Sequence, residues 1–142
     1  MNELQAVRRV HRVAREVVAL VDQAAAAAGL TAAEVDVLGA LADLAPCAVG
    51  RVAHETGYRP STLTAILDRL ARRGWIRRAL SAADRRSFVV ELTRDGRGAA
   101  RHLGRRLAAL DRAMRRELPR RELVALADLP VRVGAHARPG PG

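Results

Sequence analysis

The chain has 142 residues, a net charge of +10 and 49% hydrophobic residues. Such a chain is long enough to bury one real core and too apolar to be disordered throughout. Its single cysteine excludes an internal disulfide and fits a reducing cytoplasm. No stretch approaches ~20 uncharged apolar residues, so no membrane span is expected, and the mixed acids and arginines of the first residues do not read as a secretion signal.

Val7, Val10, Ala14, Val17 and Val21 recur at spacings of three and four. They predict one apolar face on a helix from about Leu4 to Ala28, with Gly29 as its stop. Thr31-Ala-Ala-Glu34 is a capping-box pattern opening a second helix, with Val35, Leu38, Leu41 and Ala42 inward. Pro46 ends that region. A short helix over Ala48–Thr56 follows, closed by Gly57. Pro60 suits the first turn of the next helix, where its missing N–H costs nothing. There Leu63, Ile66, Leu67 and Leu70 form the inward stripe, and Gly74 ends the helix.

The period then changes. Trp75–Leu80 and Ser87–Leu92 are short, apolar-rich and partly β-branched, and a polar turn, Ser81–Arg86, separates them. They read as a hairpin with Phe88, Val90 and Leu92 on one face. Thr93 is placed to cap a long helix in which Leu103, Leu107, Leu110 and Met114 form a short heptad seam. Pro119 opens a last short helix with Leu123, Leu126 and Leu129. From Pro130 onward the sequence has no period, and residues 130–142 are expected to form an irregular tail.

All 25 basic residues are arginine, a bias that coding composition can produce by itself. Their placement says more. Residues 51–121 hold 19 arginines against 7 acids, whereas the rest of the chain holds 6 against 8. The positive field therefore lies in the middle and C-terminal part, where it attracts polyanions.

Short helix, tight turn, second helix and basic hairpin form a helix-turn-helix followed by a wing. The fold class expected is mostly α with a small β-hairpin wing. A helix fits the major groove of DNA, and an arginine on a narrow ribbon tip fits the minor groove. At ~100° per residue, with Leu63 inward, Ser61, Ala65, Asp68 and Arg72 point outward and Thr62, Thr64 and Arg69 flank them. Arg59 precedes the helix and can reach the DNA backbone. Asp68 would repel phosphates unless paired with Arg72 one turn on. At the wing, Asp84 is expected to brace a guanidinium while Arg85 or Arg86 enters the groove.

The segment from Leu30 to Arg101 resembles the MarR family of bacterial transcription regulators. The resemblance rests on Leu30-Thr31, Pro60-Ser-Thr-Leu-Thr64, Leu67-Asp-Arg-Leu70, Gly74-Trp-Ile76, Asp84-Arg-Arg86 and Leu92-Thr-Arg-Asp-Gly96, in that order. It implies a homodimer, joined through N- and C-terminal helices, that binds pseudo-palindromic double-stranded DNA and usually represses. It further implies DNA contacts at Ser61, Thr62 and Thr64, and a wing arginine at Arg86 braced by Asp84. One departure is Ala65, where the family often carries a basic residue, and this shifts weight to Arg59 and Arg69. The implied layout is a dimerisation helix over 1–29, a winged helix-turn-helix over 30–96 and dimerisation helices over 97–129. Dimerisation is also expected because the seams Val7–Val21 and Leu103–Met114 are more than one short core can cover.

The resemblance also implies a small aromatic or phenolic effector between the dimer helices and the DNA-binding lobe, where His11, Arg12 and Arg15 could meet an anion. Cys47 reads as a small packed residue rather than a redox sensor. His11, His54, His102 and His136 make no metal-ligand spacing, and no phosphate loop or nucleophile–base motif occurs. No metal, cofactor or catalysis is expected. Two other readings are a low-specificity architectural DNA binder and a winged-helix module that binds protein.

Overall fold

The computed structural model describes residues 4–137. Its elements run α1 (Gln5–Ala26), α2 (Ala32–Leu44), α3 (Val49–Thr56), α4 (Pro60–Arg72), β1 (Ile76–Leu80), β2 (Phe88–Leu92), α5 (Arg94–Glu117) and α6 (Arg120–Ala137). The chain forms two compact units, one ending at Leu107 and one beginning at Ala108. No helix of the described residues is long and apolar enough to cross a membrane.

The core of the first unit is aliphatic. Val37, Leu38, Leu41, Val52, Leu63, Ile66, Leu70 and Val90 are fully or almost fully buried. All four residues of the predicted α4 stripe are among the buried set. In α2 the inward set differs from expectation: Val37 and Ala40 are buried, and Ala42 is exposed. The reason is that α2 packs against α1, α3, α4 and β2. A helix with several neighbours buries more than one stripe, so its periodicity is weak.

The turns form where side-chain chemistry dictates. Thr31 Oγ1 accepts from the Glu34 amide at 3.2 Å, and Glu34 Oε2 accepts from the Thr31 amide at 3.3 Å, completing the capping box. Gly57 and Gly74 both take φ of +72°, the left-handed conformation that glycine adopts without strain. Between them lies α4, so each end of this helix is set by a residue the sequence marks.

A two-stranded hairpin is marginal by itself, and three ties hold this one to the helices. Cys47, between α2 and α3, exchanges two backbone hydrogen bonds with Val90, at 3.2 and 2.8 Å. Thr93 donates its amide to Trp75 O at 2.9 Å and its hydroxyl to Gly74 O at 2.6 Å. The same hydroxyl accepts from the Gly96 amide at 3.0 Å, capping α5. At Gly96 a Cβ would lie 1.9 Å from Trp75 O, so only glycine lets α5 start this close to the hairpin.

In the hairpin, Ile76 pairs with Leu92, Arg78 with Val90 and Leu80 with Phe88. Val90 and Leu92 are buried as expected, but Phe88 is 62% exposed and its partner Leu80 57%. The face turns inward only near the strand base, and the tip extends past the helices.

In the second unit, Asp111 and Arg115 pair at 2.7 Å one helical turn apart on α5. α6 corrects the expected short helix and irregular tail. It continues through Pro130 to Ala137. Proline removes one N–H from the ladder, yet the helix runs on past it and across Gly134. Residues 138–142 of the expected tail lie outside the described residues.

Candidate nucleic-acid interface

The recognition helix presents a small, hydroxylated N-terminus. Arg59 is its N-cap with ψ of 150° and offers no side-chain cap, and Pro60 occupies the first position. The amides of Ser61 and Thr62 precede the first intrahelical bond, which Leu63 makes to Arg59 O at 3.0 Å. They therefore point out of the helix end with its positive dipole. Ser61, Thr62, Thr64 and Ala65 are exposed. Thr64 donates its hydroxyl to Pro60 O at 2.8 Å, so what it offers outward is acceptor lone pairs.

Two side-chain arrangements on α4 bear on how it can meet DNA. Asp68 and Arg72 form no ion pair, although both are described and exposed. At a solvated surface such a pair gains little against side-chain entropy. Arg69 is half-buried on the helix flank and is tied to α2. Its Nε donates to Glu34 Oε1 at 2.6 Å, and Glu34 is buried. A buried carboxylate draws in the nearest cation, a signal absent from any reading of α4 by itself.

The wing tip is a locally bonded turn. Ser81 Oγ accepts from the amides of Ala83 and Asp84, both at 3.3 Å. Asp84 Oδ1 accepts from the Arg86 amide at 3.0 Å, and Ser87 donates its amide to Asp84 O at 3.1 Å. Asp84 thus braces the backbone of Arg86 rather than a guanidinium. A short aspartate reaches its own chain two residues on more readily than it reaches a long side chain. The guanidinium groups of Arg85 and Arg86 stay exposed at the tip.

Electrostatics at the helix-turn-helix corner involve Asp36 and Tyr58. Burial pushes the Asp36 carboxyl above its ordinary value, against a lowering hydrogen bond from Tyr58 and with help from the charge on Glu55. Burial and the neighbouring Asp36 push the Tyr58 hydroxyl up as well. Cys47 is 4% exposed, and burial raises its thiol against the pull of Arg51. A raised, buried thiol is poorly nucleophilic.

His11, Arg12 and Arg15 are exposed along α1, with Arg12 facing Glu16 at 3.6 Å. None of the three lines the arginine-ringed cavity of the first unit. That cavity, of about 640 Å³, lies between the end of α2, the hairpin and the start of α5. Its floor includes Leu41, Ala45 and Leu92, and Arg77, Arg94, Arg97 and Arg101 stand around it. Arg77 pairs with Glu91 at 3.0 Å, and Arg97 donates to Leu92 O at 2.8 Å. Sequence reasoning missed this group because Arg77 comes from β1 and the other three arginines from α5. The one available signal was the spacing of Arg94, Arg97 and Arg101 along one helix face.

Order of elements, hydroxylated helix N-terminus and arginine-tipped hairpin are those of a winged helix. Residues 28–87 match the model of the MarR family. Solved structures align with nearly the whole chain. BpsR of Bordetella bronchiseptica, solved to explain how 6-hydroxynicotinic acid regulates its DNA binding, is 27% identical over 97% of this chain and 99% of its own, with a TM-score of 0.76. MosR of M. tuberculosis in complex with DNA is 24% identical over 94% of this chain and 98% of its own, with a TM-score of 0.77. MarR of E. coli in its apo form is 23% identical over 94% and 98%, with a TM-score of 0.67. None of the curated proteins matches. The winged helix-turn-helix expected from the sequence is the fold observed.

Proposed function

We propose that this chain is a transcription regulator, a repressor, that binds a pseudo-palindromic operator as a homodimer. The observation that carries the reading is one lobe presenting both an uncapped, hydroxylated α4 N-terminus and a wing tip with two exposed arginines. Ser61, Thr62 and Thr64 meet base edges or phosphates in the major groove, with Ala65 allowing close approach. Arg59 and the open amides at the start of α4 take phosphates. Arg86, its backbone held by Asp84, enters the minor groove with Arg85 beside it. Asp84 contributes through that backbone hydrogen bond alone.

Support for the dimer comes from α1, whose Val7, Val10, Val13, Val17, Val18 and Leu20 are exposed. Two-fold pairing through such a face sets two recognition helices about one DNA turn apart, ~34 Å. An anionic effector is favoured by the arginine-lined cavity beside the wing rather than by His11, Arg12 and Arg15. The DNA binding of BpsR responds to one such anion, 6-hydroxynicotinic acid.

The test is selection from a random duplex pool, then a salt titration on the enriched and a scrambled duplex. Enrichment of an inverted repeat with a preference above ~10³ supports the regulator. Binding without preference would point to an architectural protein, and no binding at low salt to a protein-interaction module.

A further inference from the structure

Glu34 is the buried charged residue of the described core, 3% exposed. Its carboxylate is held from two sides. Oε2 accepts from the Thr31 amide at 3.3 Å within the capping box of α2, and Oε1 accepts from Arg69 Nε at 2.6 Å. The Glu34 side chain is 4% exposed and that of Arg69 41%. The carboxylate cannot follow the guanidinium outward without breaking the cap, so the pair stays where Glu34 is.

A second tie lies at the C-cap of α4. Arg73 donates from Nη2 to Gly29 O, and its guanidinium sits 5.0 Å from the Trp75 ring. Gly29 takes φ of +67° at the corner between α1 and α2. Asp22 of α1 accepts from the Ala32 amide at 2.5 Å, closing the same corner. Two arginines of the recognition helix therefore grip one corner of the lobe.

On the helical wheel Arg69 shares its flank with Thr62 and Ala65, near the face assigned to DNA. An unpaired arginine there would bind phosphate regardless of sequence. We propose that Glu34 is a specificity-determining positioning residue: it holds Arg69 away from the DNA backbone and fixes the rotation of α4 that presents Ser61, Thr62 and Thr64. The inference rests on the DNA-binding reading above. Its consequence is that the charge withheld from α4 lowers binding to random DNA more than binding to the operator.

The experiment measures the salt dependence of binding to a scrambled and a selected duplex for the wild type, Glu34→Gln, Arg69→Gln and the double variant. Glutamine keeps the size and one acceptor and removes the charge. Glu34→Gln should steepen the log–log salt slope by about one unit, as one more phosphate contact releases its counterion. It should also tighten binding to the scrambled duplex and reduce the preference for the selected one several-fold. Arg69→Gln should leave the slope unchanged, and the double variant should return to the wild-type slope. A purely structural Glu34 would lower the melting temperature without moving the slope. The proposal is overturned if Arg69→Gln alone flattens the slope by about one unit, or if Glu34→Gln leaves slope and preference as in the wild type. Should Glu34→Gln fail to fold, the slope of Arg69→Gln decides. Failure of the wild type to bind either duplex removes the functional reading itself, whereas wild-type binding with the contrary slopes removes only the role of Glu34.

Discussion

Helices α1 and α4 carry equally clear apolar stripes, and the structure treats them oppositely. In α4, Leu63 and Leu70 are 0% exposed, whereas in α1 Val7 is 66% and Val10 54% exposed. The difference teaches that periodicity says a face needs cover without saying where the cover comes from. For α4 it comes from the lobe itself. For α1, under the proposed dimer, it comes from a second copy of the chain.

The largest expected effect breaks the covered side. Leu63→Ala should cost about 2–5 kcal/mol in chemical denaturation, since the site is closed on all sides and leaves a cavity. A loss under ~1 kcal/mol would mean α4 is less firmly packed than its burial implies.

Next, Val10→Glu with Val17→Glu should raise the dimer dissociation constant at least ~100-fold, because two charges would be desolvated in an apolar seam. Light scattering across a dilution series reads this directly. An unchanged dimer would show that another surface joins the copies.

Smaller effects concern the charged edges of the lobe. Arg86→Ala should weaken operator binding and flatten the salt slope by about one unit, with little change in melting temperature. Unchanged affinity and slope would remove the wing from the mechanism.

The smallest is a pH effect. Asp36 has its carboxyl raised above the ordinary value, chiefly by burial. The folded chain thus binds that proton more tightly than the unfolded chain. Its contribution to stability is present below the ordinary value and is lost as pH rises through the folded value. Asp36→Asn should therefore raise the melting temperature slightly near about pH 7 and not near about pH 3. Equal shifts at both would assign the change to packing rather than titration.

Much of the fold was legible because local chemistry marked it. The capping box at Thr31 and Glu34, the proline opening α4, the glycines at its ends and the stripe from Leu63 to Leu70 each lie within one element. What was not legible depends on contacts between elements. The Cys47–Val90 bridge, the Glu34–Arg69 pair across 35 positions and the Gly96 approach to Trp75 O leave no local pattern. The exposed Ala42 and Phe88 follow the same rule, since what packs against a face lies elsewhere in the chain. At the candidate interface, exposure of Ser61, Thr62 and Thr64 followed from the helical wheel. The withdrawal of Arg69 did not, because a buried acid on another helix decides it.

Sedimentation of the free chain and of its complex with the selected duplex tests the central claim most directly. A dimeric regulator should sediment as a species of twice 15.3 kDa at micromolar concentration and place two chains on each bound duplex. A 15.3 kDa monomer that loads singly onto DNA, or a dimer that binds none, would contradict it.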